Sequence, residues 1–460
     1  MFHRFSSIFT FRVLAASLAL CVLSACIGGG GDSPADSAAT PTDTSGTPGN
    51  LSITGTFFAP DGTTPIANAL VYALGASTSS SSGAIGSISN SGTITGTTST
   101  SGFTGTIGTL QASTALLASL SCGEPPADAL AATCTDPQGK FDLKLSGLVP
   151  STVVIRKGAF KAEQTVSVTN GQTSLILGAV TVPTSGINAA RMAVVTGSYD
   201  SIEDVLAKLG FGQLAFGKLK LGTETFKIFN GTDDTDLTDL GYPSYTALFD
   251  DADGTGRADI FDYDIVFLNC GIEVDFSNFD ADKLATLQDY VQSGGRIYAS
   301  DWSYVAVEQA FPQFIDFMGS DDTAIDVAEA IGHALVGADG IEVSTQVDST
   351  LKSWLQGVTC LNGPCVQADG TVHIEGFLGG WAVIKGTHAG ASVKTWVNGP
   401  VKYFTDNSFT TFSTDNLPLT MSFTSGRGRV TFTSYHNESG LMGDDLLPQQ
   451  RILQYMVFEL

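Results

Sequence analysis

Two hydrophobic rhythms divide the chain. From about residue 51 to 183, short runs alternate apolar and polar positions or are β-branched: LSITGTFFAP, ALVYALGA, GKFDLKLSGL, TVVIRKGAF, EQTVSVT and SLILGAVTV. Turn pairs such as Asp61-Gly62, Gln138-Gly139 and Asn170-Gly171 separate them. Period-two burial punctuated by such turns predicts a small antiparallel β-sandwich. From about 190 to 460, strands and helical stretches alternate instead. RMAVVTG, FKIFNG, YDIVFLNCG and RIYASD read as strands, and YDIVFLNCG is apolar throughout, as a strand covered on both faces is. SIEDVLAKLGFG, ADKLATLQDYVQSGG, SYVAVEQAFPQFIDFMG and the closing PQQRILQYMVFEL have helical spacing, and GRVTFTSYHNE is a late strand. This alternation predicts an α/β domain with a doubly wound parallel sheet. Within it, residues 330 to 420 break the rhythm and predict β-hairpins at TVHIEGFLGGWAVIKGT and SVKTWVNGPVKYF.

The N-terminus follows neither rhythm. Arg4 and Arg12 flank the start of an apolar run from Val13 to Leu23, too short to span a bilayer comfortably. Residues 1 to 25 therefore read as a secretory signal. Its ending, Leu23-Ser24-Ala25-Cys26, resembles a bacterial lipobox. That resemblance implies cleavage before Cys26 and acylation of its thiol and new amine, with an ordinary signal peptidase site as the alternative. Ile27 rather than Asp after the Cys implies an outer-membrane lipoprotein of the cell envelope. Residues 27 to 50 are dominated by Gly, Ser, Thr, Pro, Ala and Asp and read as a flexible tether.

With 460 residues and 43% hydrophobic content, the chain has enough apolar mass for two or three cores at about 150 residues per domain. Lys plus Arg number 22 against 46 for Asp plus Glu, a formal charge of −24. Removing Arg4 and Arg12 with the signal takes this from −24 to −26. Such a balance argues against nucleic-acid binding, which needs a positive footprint. The membrane is reached through the lipid anchor rather than by a basic surface. A Ser/Thr/Gly insert at about 76–121 interrupts the sandwich after its second strand, and reads as a disordered surface loop or as a glycosylated or adhesive spacer.

Cysteine usage agrees with export. Of 7 Cys, Cys21 leaves with the signal and Cys26 carries lipid. Cys122 with Cys134, and Cys360 with Cys365, form two local candidate disulfides in turn-rich segments. A zinc site from these four is the weaker reading, because no His stands at ligand spacing beside them. Cys270 is left over.

Two family resemblances sharpen this picture. ITGTFFAPDGTTPIANALVYAL followed by CTDPQGKFDLKLSGLVPSTVVIRKG resembles the carboxypeptidase regulatory-like family, a transthyretin-like sandwich of seven strands. Some members bind carbohydrate, although no exposed aromatic platform stands out here. YDIVFLNCG, LQDYVQSGGRIYASDWS and the terminal GRVTFTSYHNE plus helix resemble the class I glutamine-amidotransferase-like family, which is flavodoxin-like. Active members use a Cys on a tight strand-to-helix elbow and a His-x-Glu pair on a distant loop. His436 and Glu438 match the second half. At the elbow the chain reads Ser300-Asp301-Trp302-Ser303, with no Cys. Cys270 follows the preceding strand, where a buried small residue is the plain reading. A displaced Cys270/His436/Glu438 site, or one built on Ser303 or Asp301, is the catalytic alternative. Trp302 and Tyr304 read either as lining of the same crevice or as core.

Acid density is highest from Asp233 to Asp264, where Arg257 is the lone base. Within DADGTGRADIFD, Asp251, Asp253, Thr255, Asp259 and Asp262 fall at positions 1, 3, 5, 9 and 12 of an EF-hand-like loop, with Gly256 at position 6. Ca²⁺ is the cofactor this spacing suits. The departures are Asp in place of Glu at position 12 and a strand in place of the exit helix. A solvated acidic turn is the alternative.

The sequence thus predicts an exported, lipid-anchored surface protein with a β-sandwich and an amidotransferase-like α/β domain lacking its nucleophile. The leading expectation is a non-catalytic binding protein for a carbohydrate or protein ligand. The rival is an envelope hydrolase acting on peptide, amide or glycan.

Overall fold

The computed structural model describes residues 50–75, 120–232, 234–271, 279–319, 334–338, 343–361, 363–377, 380–406, 409–437 and 446–460. The signal, Cys26, the tether, nearly all of the Ser/Thr/Gly insert, and Glu438 lie outside them. Among the described residues no helix is long and apolar enough to cross a membrane. The chain is strand-rich and multi-sheet, with one large mixed sheet.

Seven strands build the sandwich: β1 (Asn50–Phe58), β2 (Leu70–Leu74), β3 (Ala129–Cys134), β4 (Lys140–Ser146), β5 (Thr152–Lys157), β6 (Phe160–Thr165) and β7 (Ser174–Thr181). They pair as β4-β1-β7 and β3-β2-β5-β6. The alternation does the sorting: in β4, Phe141, Leu143 and Leu145 are buried while Lys140, Asp142 and Lys144 are exposed. One expectation is corrected. β7 runs parallel to β1, so the sandwich is not purely antiparallel. It arrives from β6 in the opposite sheet, and a crossover between sheets does not impose the reversal that a hairpin does. Cys122 and Cys134 are joined with Cα atoms 5.8 Å apart, just beyond the insert and at the end of β3.

The rest of the chain contains β8 (Met192–Val195), α1 (Ile202–Leu206), the hairpin β9 (Leu214–Ala215) and β10 (Lys218–Leu219), β11 (Lys227–Phe229), α2 (Thr235–Asp239), β12 (Ile265–Leu268), α3 (Ala281–Gln292), β13 (Arg296–Ser300) and α4 (Tyr304–Ala310). Beyond these come β14 (Ile315–Phe317), β15 (Val343–Val347), α5 (Ser349–Leu355), the disulfide-closed pair β16 (Thr359–Cys360) and β17 (Gly363–Pro364), β18 (Val372–Ile374), β19 (Ile384–Thr387), β20 (Val393–Phe404), β21 (Phe412–Ser425), β22 (Gly428–Thr433) and α6 (Pro448–Glu459). Nine strands form one sheet in the order β11-β8-β12-β13-β22-β21-β20-β15-β18. The first five are parallel, and the remaining pairings are antiparallel. A wholly parallel sheet is therefore corrected to a mixed one. β22 is entered through a tight hairpin from β21, not through a helical crossover, so its outer neighbour must run the other way.

The parallel strands bury both faces. Met192 and Val194 of β8, with Ile265 and Phe267 of β12, join α1, α6 and the sandwich in one core. Ala193, Val195, Val266 and Leu268 join α3 and α4 in the other. Contacts across the first core include the rings of Phe160 and Phe458, 4.9 Å apart, and Trp354 Nε1 donating to Pro65 O at 2.8 Å. The described residues accordingly form one compact unit.

Three local expectations change. SYVAVEQAFPQFIDFMG is helical only to Ala310, because Pro312 stops it, and Ile315–Phe317 pair with β19. TVHIEGFLGGWAVIKGT is no hairpin: β18 pairs with β15, and β19 with β14. SVKTWVNGPVKYF is one 12-residue strand, its Asn398-Gly399-Pro400 absorbed beside a register shift at Val397.

Candidate functional site

Four loops meet at the carboxyl ends of β8, β12, β13 and β22. They carry Asp200, Asn269 with Cys270, Ser300 with Asp301, and His436 with Asn437. That edge is where open α/β sheets place ligands. The approach is close: a Cβ on Gly197 would lie 2.0 Å from Cys270 O, so only glycine lets the first two loops touch.

Asp301 occupies the strand-to-helix elbow. It follows β13 directly, opens the short 3₁₀ turn Asp301–Ser303 that leads into α4, and has φ +42°. A left-handed non-glycine residue is uncommon, and costs about 1–2 kcal/mol. The carboxylate is held on both oxygens. Oδ1 accepts from Ala382 N–H at 2.6 Å, and Oδ2 from the Cys270 thiol at 3.3 Å. His436 Nε2 lies 2.8 Å from the same Oδ2. All three side chains are buried.

The surrounding groups lock this arrangement. Ser300 Oγ accepts from Cys270 N–H at 3.0 Å, and Ser303 Oγ donates to Asn269 O at 2.9 Å. Asp200 Oδ1 accepts from Ser201 N–H at 2.8 Å and from Asn437 N–H at 2.9 Å, tying the His436 loop to the β8 loop. Asn269 Nδ2 bonds Glu203 Oε2 at 2.9 Å.

Burial dominates the electrostatics. It pushes the Cys270 thiol far up, and the neighbouring Asp301 charge adds to the effect. Burial also raises Asp200, with the nearby His436 partly offsetting it. Glu203 is pushed up to about 8, first by desolvation and then by the neighbouring Asp204. Glu203 is half-buried, and its carboxylate is turned inward onto buried Asn269.

Of the sequence candidates, the structure thus gathers Cys270, Asp301 and His436 and places Ser303 beside them with its hydroxyl turned to Asn269 O. Trp302 is half-buried and Tyr304 fully buried in the α3/α4 core, their rings 5.6 Å apart, so Tyr304 does not line a crevice. Asp200, Glu203, Asn269, Ser300 and Asn437 were missed. An acidic residue soon after an apolar strand was the available signal for Asp200.

Two donor sets could hold a metal. Cys270, Asp301 and His436 offer sulfur, oxygen and nitrogen atoms within 4.8 Å, a mixture suited to zinc. In the acidic loop, Asp251, Asp253 and Asp259 bring carboxylate oxygens equally close. There Asp251 Oδ2 accepts from Gly256 N–H and Asp253 Oδ1 from Thr255 N–H, each at 2.9 Å. Asp262 ends a 3₁₀ turn starting at Asp259 and is not part of that group of three, and Thr255 is exposed.

No protein-family model matches this chain, and no curated protein does. Among solved structures it is similar to a ThuA-like protein from Parabacteroides merdae, at 11% identity over 58% of this chain and 87% of that one, with a TM-score of 0.30. It is similar to a cytoplasmic protein of Salmonella typhimurium, at 10% identity over 59% and 98%, TM-score 0.30. A GH42 beta-galactosidase from G. stearothermophilus is 8% identical over 59% of this chain and 30% of the enzyme, TM-score 0.27.

Proposed function

We propose that this is an exported, lipid-anchored envelope protein whose α/β part is flavodoxin-like and binds a ligand without turning it over. That fold is supported by the parallel order β11-β8-β12-β13-β22, in which β8, first in chain order among the strands of this sheet, lies between the second, β11, and the third, β12. The sandwich, with its seven strands in two sheets, supports the carboxypeptidase regulatory-like reading. Export and acylation at Cys26 rest on the lipobox and on two cysteine pairs at bonding distance.

One observation carries the non-catalytic reading. The elbow position holds a carboxylate with both oxygens engaged, and the thiol beside it is buried and donating. A nucleophile needs a thiolate or an activated hydroxyl near a base. Here the Cys270 thiol points to Asp301 and the Ser303 hydroxyl to a backbone carbonyl. The loops around Asp301 and His436, at the carboxyl edge of the parallel strands, would then hold a carbohydrate or protein ligand. The Asp251 loop would bind calcium structurally, at the millimolar levels found outside the inner membrane.

The test uses the intact chain on a panel of envelope polysaccharides and peptides, read both as saturable retention and as product release. Retention reduced by His436→Ala, with no product from either form, is the expected result. Turnover by the natural chain that disappears in His436→Ala would overturn the reading in favour of the hydrolase. Metabolic lipid labelling lost in Cys26→Ser tests the anchor separately.

A further inference from the structure

Acids outnumber bases 46 to 22 in this chain, yet bases meet in one place. On the sandwich, Arg156 of β5 stands directly opposite Lys161 of β6. On the large sheet, Arg296 of β13 stands directly opposite Arg429 of β22. Like charges in facing strand positions destabilise a sheet. Both pairs border the same cleft, which opens as two cavities of about 450 and 500 Å³. Arg156, Gly158 and Arg296 line both; Lys161 belongs to the first and Arg429 to the second.

Most of the acids nearby are already engaged. Asp264 accepts from Arg191, at 2.8 Å from its backbone N–H and 3.3 Å from its guanidinium. Glu459 lies 2.6 Å from Lys157 and 3.4 Å from Arg429, and Lys161 pairs with Glu163 at 2.5 Å. Glu124 stands exposed at the rim. Among the described residues, neither Arg156 nor Arg296 has a carboxylate at ion-pair distance, and the Arg296 guanidinium donates to Gly294 O at 3.2 Å. Burial, with the charges of Arg156 and Arg429, pulls the Arg296 guanidinium below its usual value, although the Tyr290 and Asp264 side chains oppose this.

We propose that the cleft between Arg156 and Arg296 is an oxyanion-binding site for the phosphate or carboxylate group of an anionic ligand. Guanidinium forks match such groups bidentately, and an anion between them would turn a repulsive cluster into charge-assisted hydrogen bonds. The site is separate from the Asp301 and His436 cluster and does not depend on its function. The strongly negative remainder of the molecule repels anions at long range, so binding would be short-range and selective for a group that reaches both arginines.

The probes are inorganic phosphate and galacturonate, titrated into the intact chain at ionic strength held constant with sodium chloride. A saturable rise in Tm with either probe identifies the preferred group. Arg156→Met, a change at an exposed side chain, should weaken binding about tenfold or more while raising Tm in anion-free buffer by relieving repulsion. Arg296→Met should weaken binding likewise. No rise beyond that given by chloride for either probe would overturn the proposal, as would equal rises in the natural chain and Arg156→Met.

Discussion

Lys157 Nζ at the end of β5 lies 2.6 Å from Glu459 Oε1 in the last turn of α6, both side chains nearly buried. This pair joins the sandwich to the final helix, where Ala159 N–H also bonds Leu460 O at 3.0 Å. Burial pushes the Glu459 carboxyl up, but the Lys157 and Arg429 charges outweigh it and hold it below the ordinary value. Glu459→Gln strands the Lys157 charge and should destabilise the chain by about 3–5 kcal/mol, measured by urea unfolding. Replacing both residues by Met should cost much less. A depressed carboxyl stabilises the fold above its unfolded value, 4.5, and that contribution fades as pH falls below it. The double variant should lose this part of the acid sensitivity. An equal loss of stability in the single and double variants would contradict the account.

Cys270 provides a second expectation. A buried thiol that donates to a carboxylate should react slowly with iodoacetamide in the folded chain and rapidly once unfolded. His436→Ala should not accelerate the folded-state reaction. Fast labelling of the native chain near neutral pH would mean a thiolate, and would return Cys270 to the list of nucleophiles.

Glu203 makes a pH dependence of opposite sign to Glu459. Its carboxyl rises from 4.5 to about 8 on folding, by desolvation and the adjacent Asp204. The folded state therefore binds more protons than the unfolded state between these values, and stability falls as pH rises through that window. Glu203→Gln should flatten the decline between pH 4.5 and about 8. An unchanged slope in the variant would remove Glu203 as its source.

The acidic loop predicts a metal response. Calcium at millimolar concentration should raise Tm saturably, with magnesium at equal ionic strength doing much less. Asp251→Asn and Asp259→Asn should each weaken the effect, because these carboxylates lie with Asp253 in one group. Asp262→Asn should matter least, since Asp262 is outside it. Identical responses to calcium and magnesium in all forms would mark a solvated turn.

What the amino-acid order determined alone is local. Alternating burial in β4, and the double-faced burial of β8 and β12, follow from side-chain direction along a strand, so their residue types reveal them. The Cys122–Cys134 and Cys360–Cys365 pairings span only 12 and 5 residues, so proximity was nearly assured. The Ser300-Asp301-Trp302-Ser303 elbow was legible as the turn after an apolar strand. Which residue takes the left-handed position was not, because that depends on Ala382, Cys270 and His436 arriving from elsewhere. Tertiary structure alone decided the antiparallel extension of the sheet, since strand partners are chosen by whole-face packing and hairpin connections. It alone brought Asp200 to the His436 loop and Arg156 to the same cleft as Arg296. Each of those meetings joins residues far apart in the chain, and electrostatic neighbours of that kind are set by where the strands end in space.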